Sequence, residues 1–145
     1  MEKVLSSRTE LEAEAAEFAR GLRPRAEGAT LVTLSGELGA GKTAFTKAVA
    51  AALGVEESVT SPTFVLEKMY LLPPSAAFKK LLHIDAYRLE KGSDLAPLGF
   101  TELLQYPENV IMLEWPEKVK EALPQASVAI TLVARDDGSR LITYG

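Results

Sequence analysis

The chain has 145 residues, a length that predicts a single domain, residues 1–145, with one substantial core. It contains no cysteine, which excludes disulfides and thiolate metal sites, and its net charge of −4 at pH 7 argues against a large nucleic-acid-binding surface of its own. The first residues lack the apolar run of a signal peptide, and the longest apolar runs have the length of strands, so we expect a cytoplasmic protein without membrane contact.

The amino-terminal segment predicts a short strand followed by a helix. Val4 and Leu5 are the strand candidates. The apolar residues after them recur at helical spacing: Leu11, Ala15, Phe18, Ala19 and Leu22. Thr9 is the favoured N-cap of this helix, and Gly21 marks its expected end. As an alternative to capping, Thr9 lies where a residue at the edge of the domain could contact an adenine base.

A strand, a glycine-rich loop and a second helix follow in immediate succession. Residues 31–34 are a β-prone apolar run, and residues 36–43 read GELGAGKT. The loop fits the pattern G-x-x-x-x-G-K-[ST] of phosphate-binding loops. From Ala44 onward the apolar residues have helical spacing, with one face formed by Phe45, Val49, Ala52 and Leu53. Gly54 is the expected end of this helix.

The composition of this loop predicts the binding of a nucleotide. Glycine permits backbone conformations in which successive N–H groups point toward one anion, and the helix N-terminus adds to that field. The expected nucleotide-binding positions are Gly36, Glu37, Leu38, Gly39, Ala40, Gly41, Lys42 and Thr43. Lys42 is expected to reach the β- and γ-phosphate oxygens, and the hydroxyl of Thr43 to bind Mg²⁺. A glycine-rich turn without a ligand is the alternative, and the strand before the loop and the helix after it disfavour that alternative.

The middle of the chain predicts an antiparallel hairpin around residues 64–89. Residues 64–72 and 80–89 read as two strands joined by a turn at residues 73–75. Such a short connection cannot make a parallel crossover, which is unusual for a phosphate-loop domain. Short helical turns are expected at residues 94–98 and 102–106. The fold class is therefore α/β, a phosphate-loop NTPase-like domain with a central mixed sheet flanked by helices.

The carboxyl-terminal third predicts three strands and a short helix. Residues 109–115 contain an apolar run typical of a buried central strand. A helix is expected over residues 117–123. Residues 127–133 and 141–144 alternate as strands, with a turn at residues 136–138 between them.

Two acidic residues, Asp85 and Glu114, end apolar strands where a phosphate-loop enzyme needs a carboxylate for Mg²⁺. The strand before Glu114 is the more uniformly apolar, whereas His83, Tyr87 and Arg88 suggest that the other strand is half-exposed. We therefore expect Glu114 to bind Mg²⁺ and Asp85 to position the γ-phosphate or the attacking water. Either acid could instead be an ordinary strand-end residue facing solvent.

The only histidine and the only tryptophan lie beside these acids. His83, alone in its strand, is more typical of a packed or surface residue than of a catalyst. Trp115 directly follows Glu114 and could belong to the core, cover the site or mark a partner surface.

Four short stretches together resemble the TsaE (YjeE) family of bacterial ATPases. They are GELGAGKT, SPTF at residues 61–64, HIDAYRL at residues 83–89 and EWPEK at residues 114–118. The resemblance extends from about Ser6 to the last residue. It implies an ATPase in the formation of threonylcarbamoyladenosine beside the tRNA anticodon, acting with two partner proteins, TsaD and TsaB, through which tRNA is contacted.

The resemblance also implies roles for individual residues. Lys42 and Thr43 match the phosphate- and Mg²⁺-binding positions, and Glu114 matches the magnesium acid of the family. Catalytic roles fall to Lys42, to Asp85 as the acid of the HxDxYR stretch, and to Thr63 in a segment similar to a switch loop. Arg140 would lie near the nucleotide base.

Two other functions fit the phosphate loop. A small-molecule kinase is disfavoured because residues 74–99 contain no arginine-rich acceptor lid. A nucleotide switch that binds ATP without hydrolysing it is the second alternative. No arginine finger is evident, since Arg88 is assigned to a half-exposed strand and Arg140 to the base, so slow hydrolysis is expected from the isolated chain.

Overall fold

Seven strands form one mixed β-sheet in the computed structural model, which describes residues 1–56 and 67–145. The strands are β1 (Glu2–Leu5), β2 (Thr30–Ser35), β3 (Glu67–Leu71), β4 (Lys80–Asp85), β5 (Asn109–Glu114), β6 (Val128–Ala134) and β7 (Arg140–Tyr144). Their order across the sheet is β1-β7-β6-β2-β5-β4-β3. The predicted α/β class with a mixed sheet is confirmed.

The centre of the sheet is parallel and its edges are antiparallel. Strands β6, β2, β5 and β4 run parallel to one another, whereas β1 pairs with β7, β7 with β6, and β3 with β4 in antiparallel fashion. The predicted antiparallel hairpin is confirmed for its described residues. Its second strand is shorter than expected, because the chain turns after Asp85 and Leu89 N–H donates to Ala86 O at 3.0 Å.

Every residue of β5 is buried, as its uniform apolar run predicts for a strand covered on both faces. On one face lie the helices α1 (Arg8–Gly21) and α2 (Lys42–Leu53), which pack against each other. On the other face lie a 3₁₀ segment (Gly92–Leu98) and the short helix α3 (Phe100–Leu103). Within the described ranges, no helix combines the length and apolar character needed to cross a bilayer.

Three helical predictions need correction. The N-cap of α1 is Ser7, whose Oγ accepts a hydrogen bond from Glu10 N–H at 3.1 Å, so Thr9 lies inside the first turn and does not cap it. The expected helix at residues 117–123 is two 3₁₀ turns, Pro116–Lys118 and Lys120–Ala122, because Val119 between them is drawn into the core with a non-helical φ of −132°. Helix α3 begins earlier than the turn expected at residues 102–106.

The face of α2 is also narrower than its apolar pattern predicts. Phe45 and Val49 are fully buried and Leu53 packs partly buried against the core, but Ala52 is exposed. Gly54 ends the helix, as predicted, with a φ of 104°.

A side chain distant in the sequence also contacts β2. The N–H of Leu31 donates to Ser127 Oγ, and 96 positions of the chain separate these two residues.

Candidate functional site

The phosphate loop lies at the carboxyl end of the parallel strands. It connects β2 to α2, and β5 lies directly beside β2 with Leu34 in register with Glu114. On the other side of β5, Asp85 is in register with Glu114. Because parallel strands end at one edge of a sheet, both predicted acids and the loop face the same cleft.

A cavity of about 500 Å³ occupies this cleft, within the size range of small-molecule sites. Its lining includes Lys42, Thr43, Asp85, Glu114, Trp115 and Arg140. Of the loop, Leu38, Gly39 and Gly41 also line it, whereas Ala40 is buried beneath the loop. The structure therefore brings most of the sequence-predicted positions into one concave surface.

Lys42 is almost completely buried and folds back onto its own loop. Its ammonium donates hydrogen bonds to the carbonyl oxygens of Gly36 and Glu37, and it lies 4.1 Å from the centre of the Trp115 ring. Burial lowers the pKa of Lys42, and the negative charge of nearby Glu114 opposes that shift. A polyanion bound in the cleft would favour the charged form of this lysine.

The side chains of Thr43 and Glu114 meet although 71 residues separate them in the chain. The Thr43 hydroxyl lies 3.1 and 3.2 Å from the two carboxylate oxygens of Glu114. A hydroxyl and a carboxylate at the mouth of a phosphate loop fit Mg²⁺, which needs few protein ligands when phosphates and waters supply the others. The described residues contain no group of three or more His, Asp or Glu side chains that could hold a metal.

His83 is fully buried, which corrects the expectation of a half-exposed strand. Four consecutive residues of β4, from Leu81 to Ile84, are buried because the strand pairs on both sides and is covered on both faces. The Nε2 atom of His83 lies 2.6 Å from Glu114 Oε2. The histidine thus contacts the predicted magnesium acid directly.

Asp85 lies half-buried at the end of β4 and lines the cavity. Its Oδ1 accepts a hydrogen bond from the backbone N–H of Tyr87 at 3.0 Å. Burial raises the pKa of the Asp85 carboxyl, and the Tyr87 hydrogen bond opposes that shift. Glu114 is held by other side chains, whereas the Asp85 carboxylate faces the open cleft with one oxygen held.

The arginines lie differently from the sequence expectation. Arg88 lines the cavity from the turn after β4 and is not part of a strand. Arg140 lies against the phosphate loop, where its guanidinium donates to Gly39 O at 3.3 Å as well as to Gly138 O at 3.2 Å. Arg8, at the start of α1, is a further cavity residue that the sequence analysis missed.

Four of the predicted residues that the structure describes do not line this cavity: Thr9 and, within the loop, Gly36, Glu37 and Ala40. Thr9 lines neither the main cavity nor the smaller one of about 130 Å³ beside it, in which the described neighbours Ser7 and Arg8 take part. Thr63 lies outside the described residues. The base contact of Thr9 and the catalytic role of Thr63 stay predictions.

The family of the chain follows from comparison with known proteins. The model of the family described as "Threonylcarbamoyl adenosine biosynthesis protein TsaE" matches residues 6–142. This chain belongs to the TsaE family. The resemblance inferred from the four short stretches is thereby confirmed.

Individual TsaE proteins are similar over most of their length. The tRNA threonylcarbamoyladenosine biosynthesis protein TsaE of Treponema pallidum is 40% identical over 117 residues, which cover 81% of this chain and 82% of that protein. The protein of the same name from Bacillus subtilis is 39% identical over 117 residues, covering 79% of this chain and 68% of its own. The crystal structure of Bacillus subtilis YdiB superposes with a TM-score of 0.70 at 30% identity, covering 99% of this chain and 83% of that one.

In this TsaE-family chain, two aromatic residues, Tyr87 and Trp115, form one wall of the cavity. Of these, the sequence analysis considered only Trp115 as a residue that could cover the site. The rings of Tyr87 and Trp115 lie 5.0 Å apart, and Lys118 lies 5.5 Å from the Tyr87 ring. Trp115 has a φ of 61°, the only positive value of a non-glycine residue in the described ranges. A bulky residue held in this disfavoured conformation beside Glu114 is typical of a functional site.

Proposed function

We propose that this TsaE-family chain is the Mg²⁺-dependent ATP-binding and ATP-hydrolysing component of the cytoplasmic system that forms threonylcarbamoyladenosine in tRNA. It acts with TsaD and TsaB homologues and supports their repeated turnover. The observation that carries the proposal is the contact of Thr43 with Glu114 at 3.1 Å across the mouth of the phosphate loop. The part of the proposal that concerns threonylcarbamoyladenosine formation in tRNA rests on the names of the relatives.

The proposed roles follow from position and charge. Lys42 leaves its carbonyl partners in the loop and donates to phosphate oxygens, a charge-assisted exchange that replaces neutral acceptors with anionic ones. Thr43 and Glu114 hold the magnesium ion, which supplies charge neutralisation at the phosphate oxygens when bound. Asp85, on the next strand, orients the attacking water or the γ-phosphate. Arg140 contacts Gly39 of the loop and is proposed to reach the nucleotide.

Slow hydrolysis by the isolated chain is part of the proposal. A loose phosphoryl transition state gains stabilisation from positive charge, and an arginine placed on it contributes about 10³–10⁵ in rate. The guanidinium of Arg140 is engaged with the carbonyl oxygens of Gly39 and Gly138, and Arg88 lies in the exposed turn after β4. A partner that reorients one of them or supplies its own arginine would accelerate turnover.

Steady-state ATP hydrolysis tests the proposal. We expect slow phosphate release by the chain alone, abolition of release by EDTA, and a rise when the TsaD–TsaB pair is added, larger with tRNA present. Phosphorylation of an added small acceptor would indicate a kinase instead. Tight ATP binding with no release under any condition would indicate a switch, and fast release indifferent to the pair would contradict partner dependence.

A further inference from the structure

The contacts of His83 suggest a function beyond packing. Asp85 is in register with Glu114, and His83 lies two residues earlier in the same strand, so all three side chains project from the same face of the sheet. His83 is fully buried and does not line the cavity. Any influence of this histidine on a ligand must therefore pass through another side chain.

The side chain that His83 contacts is Glu114. Its Oε2 atom lies 2.6 Å from His83 Nε2, and both of its oxygens lie within hydrogen-bond distance of Thr43 Oγ1. The carboxylate, itself only 2% exposed, is thus held between an imidazole and a hydroxyl. Two donors from different elements limit its rotation.

The surroundings of Nδ1 indicate which nitrogen of the His83 ring carries the proton. Nδ1 of His83 is buried and has no hydrogen-bond partner among the residues that the structure describes. A buried N–H without an acceptor is costly, whereas a carboxylate accepts readily, so of the two singly protonated tautomers the one with its proton on Nε2 fits this environment. His83 is then a donor to Glu114.

We propose that His83 is a positioning residue, which donates its Nε2–H to Glu114 and holds that carboxylate in the orientation that receives a divalent cation beside Thr43. The inference rests on the proposed function of the site. Hydrogen-bond partners of ligating carboxylates are known to set metal affinity without touching the metal. Here the donor comes from the strand that also carries Asp85, so β4 supports both acids of the cleft.

Divalent-cation affinity is the measured quantity. Mn²⁺ is titrated into the full chain saturated with ADP, and binding is followed by electron paramagnetic resonance. We expect His83→Phe, which fills the space without a donor, to raise the dissociation constant for Mn²⁺ about 10- to 100-fold. His83→Gln, whose amide can donate, should recover most of the affinity. Ile84→Val, a change in the next residue of the strand on its opposite face, is the matched control and should bind like the wild type.

A second measurement separates positioning from general loosening of the site. Trp115 is the only tryptophan and lies beside Lys42, so its fluorescence reports ADP binding in EDTA. We expect metal-free ADP affinity to be unchanged in all three variants. Equal Mn²⁺ binding by His83→Phe would overturn the inference, as would a loss of metal-free ADP affinity equal to its loss of Mn²⁺ affinity. Failure of the wild type to bind Mn²⁺ with ADP would overturn the proposed function together with the inference.

The wild-type chain offers a test that needs no variant. His83 is the only histidine, so ¹⁵N labelling of histidine gives the signals of one imidazole ring. We expect the proton on Nε2 and a bare Nδ1. A proton on Nδ1 with a bare Nε2 would remove the donor to Glu114 and overturn the inference even if the variants fail to fold.

Discussion

At the scale of single residues, Lys42 has partners in the loop that a nucleotide must replace. Its ammonium is bonded to two backbone carbonyls and covered by the Trp115 ring, so nucleotide binding exchanges one set of contacts for another. The exchange is favourable because hydrogen bonds between charged partners are stronger than those to neutral carbonyls. We therefore expect the lysine to contribute more to ligand affinity than to the stability of the fold.

Replacement of Lys42 by alanine tests this division. One or two lost charge-assisted hydrogen bonds, each worth about 1.5–3 kcal/mol, should weaken ADP binding about 10- to 10,000-fold. The melting temperature should change little, since burial already disfavours the charged form of the lysine. Isothermal titration calorimetry with ADP provides the measurement, and Lys47→Ala, an exposed lysine of the same helix, is the control. Wild-type affinity in Lys42→Ala would refute the phosphate-loop assignment.

The raised pKa of Asp85 predicts a pH-dependent gain in stability for Asp85→Asn. With a folded-state pKa above the unfolded value of about 3.9, the native chain binds more protons, so ionised Asp85 lowers stability as the pH rises through that window. The neutral asparagine avoids this cost. In EDTA without nucleotide, Asp85→Asn should melt at a higher temperature than the wild type at pH 7, and the difference should vanish as the pH falls below both pKa values.

Asp137, whose pKa is shifted in the opposite direction, provides the control for that experiment. Hydrogen bonds from Ser139 hold the pKa of Asp137 below its usual value. Asp137→Asn should therefore melt lower than the wild type at pH 7 and equal it at low pH. From the proposed role of Asp85, we also expect Asp85→Asn to hydrolyse ATP more slowly than the wild type while binding ADP with the same affinity. A lower melting temperature of Asp85→Asn at pH 7 would contradict the linkage argument.

At the scale of elements, the phosphate loop is held against β6 at Gly36. A Cβ at Gly36 would penetrate the van der Waals surface of the Leu132 carbonyl, and the φ of 151° is one that other residues rarely adopt. Gly39 has a φ of 80°, but among residues 1–56 and 67–145 no heavy atom other than those of Gly39 and its chain neighbours lies within 4 Å of the position that its Cβ would occupy. A comparison of the two glycines therefore distinguishes the cost of a steric contact from the cost of an unfavourable φ.

Alanine at these two positions should have unequal effects. Gly39→Ala should cost about 1–2 kcal/mol from its left-handed backbone alone. Gly36→Ala adds the contact with Leu132 and should cost about 3 kcal/mol or more, with loss of ADP affinity as the loop moves from β6. Urea denaturation midpoints and m-values measure the difference. Equal midpoints for the two variants would show that the Leu132 contact does not constrain the loop.

The elements that were predicted correctly are those with strong local signals. The uniform apolar run of β5 and the glycine pattern of residues 36–43 depend on neighbouring residues alone. The burial of His83 was missed because it depends on the neighbours of β4, which the chain supplies from β3 and β5 and which no local pattern reveals. Alternation of His83 and Asp85 within HxDxYR was the available signal, since residues two apart share one face.

The errors at helix ends have the same origin. Ser7 and Thr9 are both good capping residues, and only the path of the chain from β1 into α1 decides between them. Val119 interrupts the expected helix at residues 117–123 because its burial outweighs local helical preference. Arg88 is not in the predicted strand because β4 ends at Asp85 and the chain turns there.

At the scale of the whole molecule, the net charge of −4 argues against direct tRNA binding by this chain. Nucleic-acid affinity comes mainly from clustered Lys and Arg that replace counterions on phosphates, and the arginines Arg8, Arg88 and Arg140 surround the nucleotide cleft. In the hydrolysis experiment we therefore expect tRNA to raise turnover only when TsaD and TsaB are present. A rise with tRNA alone would locate the tRNA-binding surface on this chain.

The position of β2 also has a consequence for synthesis of the chain on the ribosome. Both neighbours of β2 come from the later part of the chain, and the Leu31–Ser127 hydrogen bond joins residues 96 positions apart. Pairing between such distant segments forms late because the intervening chain must first be ordered. The nascent chain therefore emerges with the phosphate loop translated early but unsupported, and nucleotide binding must wait until β6 has left the exit tunnel.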